Sequence, residues 1–406
     1  MSFKSLYKLF VMNNINSFND LYNQRFNSSA TEVFDLFIKE YQCFFHYDKD
    51  VMNKLASIRS INYELEKIMS KLPELTLKQY LRKVLIDEVE YTNKIEGVIS
   101  TRKDINEVII QLENNIKSKD RFFGIVNKYL MMTKEEINLK KSIDVRKLYE
   151  EMLYKEIIEE DVNNTLDGKI FRKNIVHVYK SNDFIVHNGI MPEDKIIDYM
   201  DKCLDILNND SLDVLIRIAI VHYLFSYVHP FYDGNGRINR FISSYYISKY
   251  VNSVIGFRLS ITINENLTQY LDAFKHTNDI RNRADVTTFV YEFLDIVYIS
   301  CKNTLDYMID KYEVYNKYKE LIFNLKIFDE NKNKNQYINI LYCLMQNSLF
   351  GNFGISKKQI STLISKAYTK TTEYLCYLKT LDLIDEVRIG KHLYYKVNLN
   401  SLNHLK

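Results

Sequence analysis

Ten glycines and three prolines are all that punctuate a chain of 406 residues, too few for the many tight turns of a sandwich or barrel. The expected fold is therefore mainly α, with helices joined by a limited number of loops. Hydrophobic residues make up 46% and charged residues 26%, so core material is ample and extended disorder is argued against. The length exceeds what one hydrophobic core usually supports, so two or three domains are expected.

The formal net charge of +3 is too small to imply a polyanion partner for the whole chain. Cys43, Cys203, Cys301, Cys343 and Cys376 are far apart and lack CxxC spacing, so neither a disulfide framework nor a zinc site follows. No apolar run is long enough to span a membrane, and the expected location is the cytoplasm.

The polar run from Phe328 to Gln336 separates a helical body from a C-terminal module. The predicted division is 1–120, an N-terminal helical region; 121–300, a core; 301–333, a linker helix; and 334–406, the C-terminal module. In the first region, Leu77, Leu81, Val84, Leu85, Val89, Thr92 and Ile95 keep helical spacing until Gly97 stops it. In the core, "NIVHVYKSNDFIVHNGI" forms two β-branched and aromatic runs around Ser181, Asn182 and Asp183, the one hairpin the sequence announces. It precedes a predicted helix from Leu212 to Val228 that is apolar on almost every side and so belongs at the centre of a bundle.

That helix runs into "HPFYDGNGRINR", His229 to Arg240. Pro230 disfavours the α conformation at His229, so the helix should end there and present an imidazole at its edge. A new helix is expected near Arg237, since Ile238, Phe241, Ile242 and Tyr245 recur at helical spacing. Gly234, Asn235 and Gly236 then lie at a helix N-terminus, where amide groups can form an anion nest. Arg237 and Arg240 add two forks suited to phosphate oxygens. Asp233 beside such a site calls for a cation, and a carboxylate with phosphate oxygens is the usual Mg²⁺ arrangement. His229, with no second ligand at metal spacing, suits a proton acceptor. The stretch reads as a nucleotide site with a general base. The competing reading, a helix–turn–helix corner with solvated arginines, is disfavoured by this convergence within twelve residues.

These residues resemble the Fic signature HPFx[D/E]GN[G/K]RxxR at every specified position, and the order of elements is similar from about Lys147 to Leu294, beginning at "LDGKIFR". The resemblance implies a Fic-type helical bundle with a small hairpin flap, and an enzyme that transfers AMP from ATP, with Mg²⁺, to a Ser, Thr or Tyr hydroxyl of a target protein or of itself. It implies that His229 takes the hydroxyl proton, Asp233 holds Mg²⁺, and Gly234, Asn235 and Gly236 form the anion hole. Arg237 would grip the triphosphate and Arg240 its γ-phosphate, with Pro230 and Phe231 as scaffold.

Upstream, "YTNKIEG" places Thr92 and Glu96 four apart on one helical face, with Glu96 in the last turn, where the dipole disfavours an anion. From this heptapeptide alone, a solvated terminal acid serves equally well. It also resembles the Fic inhibitory motif [S/T]xxxE[G/N], which implies a Glu96–Arg240 pair that keeps the γ-phosphate from its productive place. Val176, His177, Val178, Tyr179, Phe184, Ile185 and Val186 are the candidate flap, whose edge would dock an extended target segment; a flap without a partner fits as well. His177 and His187 are read as flap or surface residues, and Tyr270 as a packed tyrosine, although the resemblance would place it at the border of the adenine.

At the C-terminus, three predicted helices and an alternating "DEVRIGKHLYYKV" resemble a winged helix-turn-helix domain. Nine Lys/Arg face four Asp/Glu over residues 351–406. Lys366, Tyr368, Thr369, Lys370, Thr372, Arg388 and Lys391 are candidate DNA contacts, against a protein-contact or homodimer module. Two alternatives to AMP transfer stand: a DNA-binding regulator with a nucleotide-sensing core, and a reverse enzyme that uses Glu96 to remove AMP.

Overall fold

The computed structural model describes residues 3–12, 14–116, 120–180, 184–390 and 392–404, with only the backbone of 178–180 and 184–186. The chain forms two compact units: Met1–Asn62 with Asp87–Lys302, and Tyr63–Ile86 with Asn303–Lys406. The fold is mainly helical, with small antiparallel sheets.

In the first unit, Val214–Val228 forms the central helix. Asp213 starts it by accepting the Leu215 amide at 2.9 Å. Thirteen of its fifteen residues are buried, as an all-round apolar sequence requires. The helices Glu193–Leu207 and Asn235–Tyr250 pack against it. Asn239 of the latter donates to the His222 carbonyl at 2.7 Å and the Ser226 hydroxyl at 2.9 Å, so one amide side chain sets the axial register of the two helices. The flap strands His177–Lys180 and Phe184–Asn188 pair antiparallel.

The expectation that residues before 120 are all helical is corrected by a second hairpin, Thr31–Ile38 with Tyr41–His46. Leu36 and Ile38 point inward while Phe37 is exposed, so the period is that of a strand. The turn is made by Lys39 in a left-handed conformation (φ 57°), without the glycine or asparagine that would have announced it.

In the second unit, Thr76 donates to the Gln346 side-chain carbonyl at 2.8 Å, joining the 63–86 segment to the helix Lys334–Phe350. Next come strand Ile355–Ser356, helices Lys357–Leu363 and Tyr368–Thr380, and strands Ile384–Ile389 and His392–Val397. The last strand lies between the other two. Ser356 and Gln359 close a capping box at the start of the first of these helices. Lys391 lies outside the described residues.

Candidate active site

The central helix ends where Pro230 dictates, with His229 as C-cap in a left-handed conformation (φ 53°, ψ 63°) that a side chain with a Cβ seldom adopts. The cap is braced from below. Arg172, fully buried, donates through Nε to the His229 carbonyl at 2.9 Å and through Nη2 to those of Val228 at 3.4 Å and Ile190 at 3.0 Å. Phe231 is buried in the loop, its ring stacked on Tyr149 at 3.8 Å and met edge-on by Phe171. Asn235 clamps the same residue, accepting the Phe231 amide at 3.0 Å and donating to its carbonyl at 2.8 Å. The Asn235 side chain thus holds the loop, while its main-chain amide lies in the first turn of the helix that follows.

Gly234, at φ 79°, caps the next helix, which begins at Asn235, two residues before the Arg237 start expected from sequence. The apolar periodicity there becomes visible only from Ile238. Among the described residues no side chain caps this N-terminus. A Cβ on Gly236 would lie 2.0 Å from Glu96 Oε1, so the missing side chain is what lets a carboxylate approach the first turn. The N-terminal amides of this turn favour an anion.

Arg237 is fully buried. Its Nη1 donates to Glu156 Oε1 at 2.7 Å, and Nη2 lies 4.0 Å from Asp233 Oδ2. Its Nε and Nη2 find no hydrogen-bond partner among the described residues. Two unfilled charged donors inside a protein are costly, and they fit a site that an anionic ligand completes. Arg240 is buried but occupied: Nε donates to the Thr92 hydroxyl at 2.9 Å, and Nη2 to the Thr92 carbonyl at 2.9 Å and to Glu96 Oε1 at 2.8 Å. Thr92 lies in the helix Glu74–Ile95, and Gly97 follows in a left-handed conformation. One turn earlier, buried Glu88 accepts from the Ser260 amide (2.8 Å), the Ser260 hydroxyl (2.6 Å) and the Ser244 hydroxyl (3.1 Å). Burial pushes its carboxyl up to about 7 against the pull of these bonds and of Arg240.

Burial, followed by the nearby Arg172 guanidinium, pushes the His229 imidazole down to about 4; Glu96 pulls the other way and His187 adds to the depression. The ring is therefore neutral across the physiological range and able to accept a proton. Asp233 accepts the Gly234 amide through Oδ1 at 2.6 Å, and its side chain is 45% exposed. Among the described residues no group of three or more His, Cys, Asp or Glu can hold a metal by itself. Mg²⁺ fits at Asp233 only in company with phosphate oxygens, its usual mode beside a nucleotide.

His229, Asp233, Gly234, Asn235, Gly236, Arg237, Arg240, Thr92 and Glu96 thus gather around one helix N-terminus. Among the described flap side chains, those of His177, His187 and Asn188 make none of these ion pairs. Val176 lies just outside the strands and accepts the Gly189 amide at 3.0 Å, and the His177 ring hydrogen-bonds the Asn188 side chain at 2.7 Å. His187 donates to the Tyr227 carbonyl at 2.7 Å and stacks on that ring, anchoring the flap. Ser181, Asn182 and Asp183 lie outside the described residues, as do the side chains of Val178, Tyr179, Phe184, Ile185 and Val186. Tyr270 is packed, its hydroxyl 2.7 Å from His222 Nε2. Sequence reasoning missed Arg172, Glu156 and Glu88 as site-supporting residues. Arg172 closes the quoted "LDGKIFR"; the other two are acids in charged helical segments with no local mark of burial.

The Fic/DOC family model matches residues 143–247, the segment that holds this loop, the central helix and most of the helix that follows. Among solved structures, a Fic family protein from Desulfovibrio desulfuricans G20 aligns with a TM-score of 0.51 at 16% identity, over 88% of this chain and 99% of that one. Fic-1 of C. elegans (residues 134–508) aligns at 17% identity over 64% of this chain and 74% of that one, with a TM-score of 0.43. A Fic domain containing signaling protein from Bacteroides thetaiotaomicron VPI-5482 aligns at 16% identity over 63% and 97%, with a TM-score of 0.45. The first of these likenesses carries the fold, and the family match carries the motif: the chain contains a Fic/DOC domain at residues 143–247.

Proposed function

We propose that this protein transfers AMP from ATP to a hydroxyl side chain of a protein, its own chain included, and that Glu96 restrains the reaction. The observation that carries this reading is the meeting of a neutral His229 with an uncapped helix N-terminus and a buried Arg237 that has two donors unfilled. The amides at Gly234–Gly236 and the free edge of Arg237 bind the polyphosphate and hold the α-phosphate in line with the attacking oxygen. His229 accepts the hydroxyl proton as the new O–P bond forms. The bond between the α-phosphorus and the bridging oxygen breaks, and pyrophosphate leaves with that electron pair. Asp233, together with phosphate oxygens, would hold Mg²⁺, which when bound neutralises charge on the phosphates.

Glu96 supports the brake by its position. Its carboxylate lies against bare Gly236 and holds Arg240, so it takes the ground that the terminal phosphate of ATP would need. The substitution His229→Ala should abolish transfer while folding and ATP binding persist, as read by incorporation of label from α-labelled ATP beside circular dichroism and equilibrium dialysis. Retained transfer would refute the role of the base. With His229 titrating near 4, the rate should rise through that pH and stay level to neutrality.

For the second unit we propose contact with duplex DNA. The observation behind it is that Lys366, Tyr368, Thr369 and Lys370 are exposed around the start of one helix, with Arg388 exposed on the adjacent hairpin strand. A gel shift of the full chain that weakens with salt supports this contact; no shift at low salt sinks it.

A further inference from the structure

Arg172 is a fully buried cation, and among the described residues no carboxylate forms an ion pair with it. Buried charges are normally paired, because desolvation is expensive. Here the charge is met by four main-chain carbonyls: Nη1 donates to Asn174 at 2.7 Å, Nη2 to Ile190 at 3.0 Å and Val228 at 3.4 Å, and Nε to His229 at 2.9 Å. A fifth tie is the Arg172 amide, which donates to the Pro230 carbonyl at 3.4 Å. These partners come from three places in the chain: the entry to the flap, its exit, and the junction of central helix and motif. Space for the guanidinium is made by Gly189, where a Cβ would lie 2.2 Å from Nη2 and 3.3 Å from the His229 Cβ.

A left-handed residue that carries a side chain is held in a sparsely populated conformation, which persists only when its surroundings over-determine it. Arg172 supplies that determination at His229. Lysine carries the same charge but lacks the planar fork, so it cannot meet carbonyls diverging in these directions.

We propose that Arg172 is the positioning residue of this site, fixing the His229 backbone and both ends of the flap in one arrangement so that the imidazole faces the attacking hydroxyl. The proposal rests on the reading of His229 as the base. The groups that bear on the imidazole are Arg172, Glu96 and His187; Arg172 and His187 favour its neutral form, and Glu96 opposes them.

The test uses the full chain with Arg172→Lys, Arg172→Met and Gly189→Ala. Kinetics are read with α-labelled ATP, and the His229 ring is titrated by NMR with labelled histidine. Arg172→Lys should lower kcat by about 10²-fold, the loss expected from a misplacement of about 1 Å, with KM for ATP unchanged. Arg172→Met should do the same and also move the His229 titration up toward the ordinary imidazole value of about 6.5. An unaltered kcat in Arg172→Lys, or an unmoved titration in folded Arg172→Met, overturns the proposal. If Arg172→Met does not fold, Gly189→Ala decides, since it keeps the charge but crowds the guanidinium: a lower kcat at constant KM supports the positioning role, and an unaltered kcat overturns it. Transfer that survives His229→Ala would instead remove the reading beneath.

Discussion

Arg237 and Arg240 sit three residues apart on one helix, both buried, in opposite surroundings. Glu156 holds Arg237 by a single nitrogen and leaves Nε and Nη2 without acceptors among the described residues, whereas Thr92 and Glu96 take the Nε and Nη2 of Arg240. One end of the cradle is therefore prepared for an anion that the protein does not supply. The other end already contains one that it does. On the proposed reading the contrast separates binding from control: the Arg237 end would hold a polyphosphate, and the Arg240 end would limit how far its tail can enter.

The largest expected effect breaks the open end. Arg237→Ala should lower transfer by about 10²- to 10³-fold, the usual loss when one preorganised charge-stabilising donor is removed, measured as label incorporated from α-labelled ATP. An unchanged rate would mean that the unfilled donors serve no ligand. Opening the closed end comes next. Glu96→Gly should raise transfer by about 5- to 150-fold, the span of a coupling of about 1–3 kcal/mol, and adding Arg240→Ala should cancel the gain. If Glu96→Gly at saturating ATP matches the parent, the glutamate is no brake. A smaller rise, roughly fivefold for a hydrogen bond of about 1 kcal/mol, is expected from Thr92→Val, which removes the hydroxyl from Arg240 Nε. Equal rates in Thr92→Val and the parent would assign the closure to the carboxylate alone.

The smallest effect concerns Glu88, which precedes Thr92 and Glu96 at i−4 and i−8 on the same face. Its carboxyl, pushed up to about 7 by burial, binds its proton more tightly in the fold than in the unfolded chain, where it titrates near 4.5. The fold therefore holds more protons between these values, and stability from this group is lost as pH rises from 4.5 through 7. Thermal melts at pH 6 and pH 8 should show a drop in Tm that Glu88→Gln diminishes. An identical drop in the variant would place the pH dependence elsewhere.

The open end was legible in the sequence because its residues are chemically unusual in combination, whereas the Glu96–Arg240 pair of the closed end came only from the resemblance of its motif, the heptapeptide itself fitting a solvated acid equally well. A histidine before proline, an acid, two glycines and two arginines at helical spacing leave few other uses. What escaped was support supplied from a distance. Glu156 lies 81 residues from the arginine it holds, and Arg172 57 residues from the carbonyl it grips, and neither segment carries a local pattern that marks its charge as buried. The same logic applies to the fold. The helices ending at Gly97 and His229 were visible from apolar period and stop signals, whereas the Thr31–His46 hairpin turned on Lys39 and Glu40, residues with no turn signature of their own.

The most direct test of the central claim is a pair of labelling reactions with the Glu96→Gly chain, one with ATP labelled at the α-phosphate and one with ATP labelled at the γ-phosphate, each repeated with His229→Ala added. Transfer of AMP through an imidazole base requires protein-bound label from the α position only, and none once the histidine is gone. Label from the γ position, or α label that persists without His229, would contradict it.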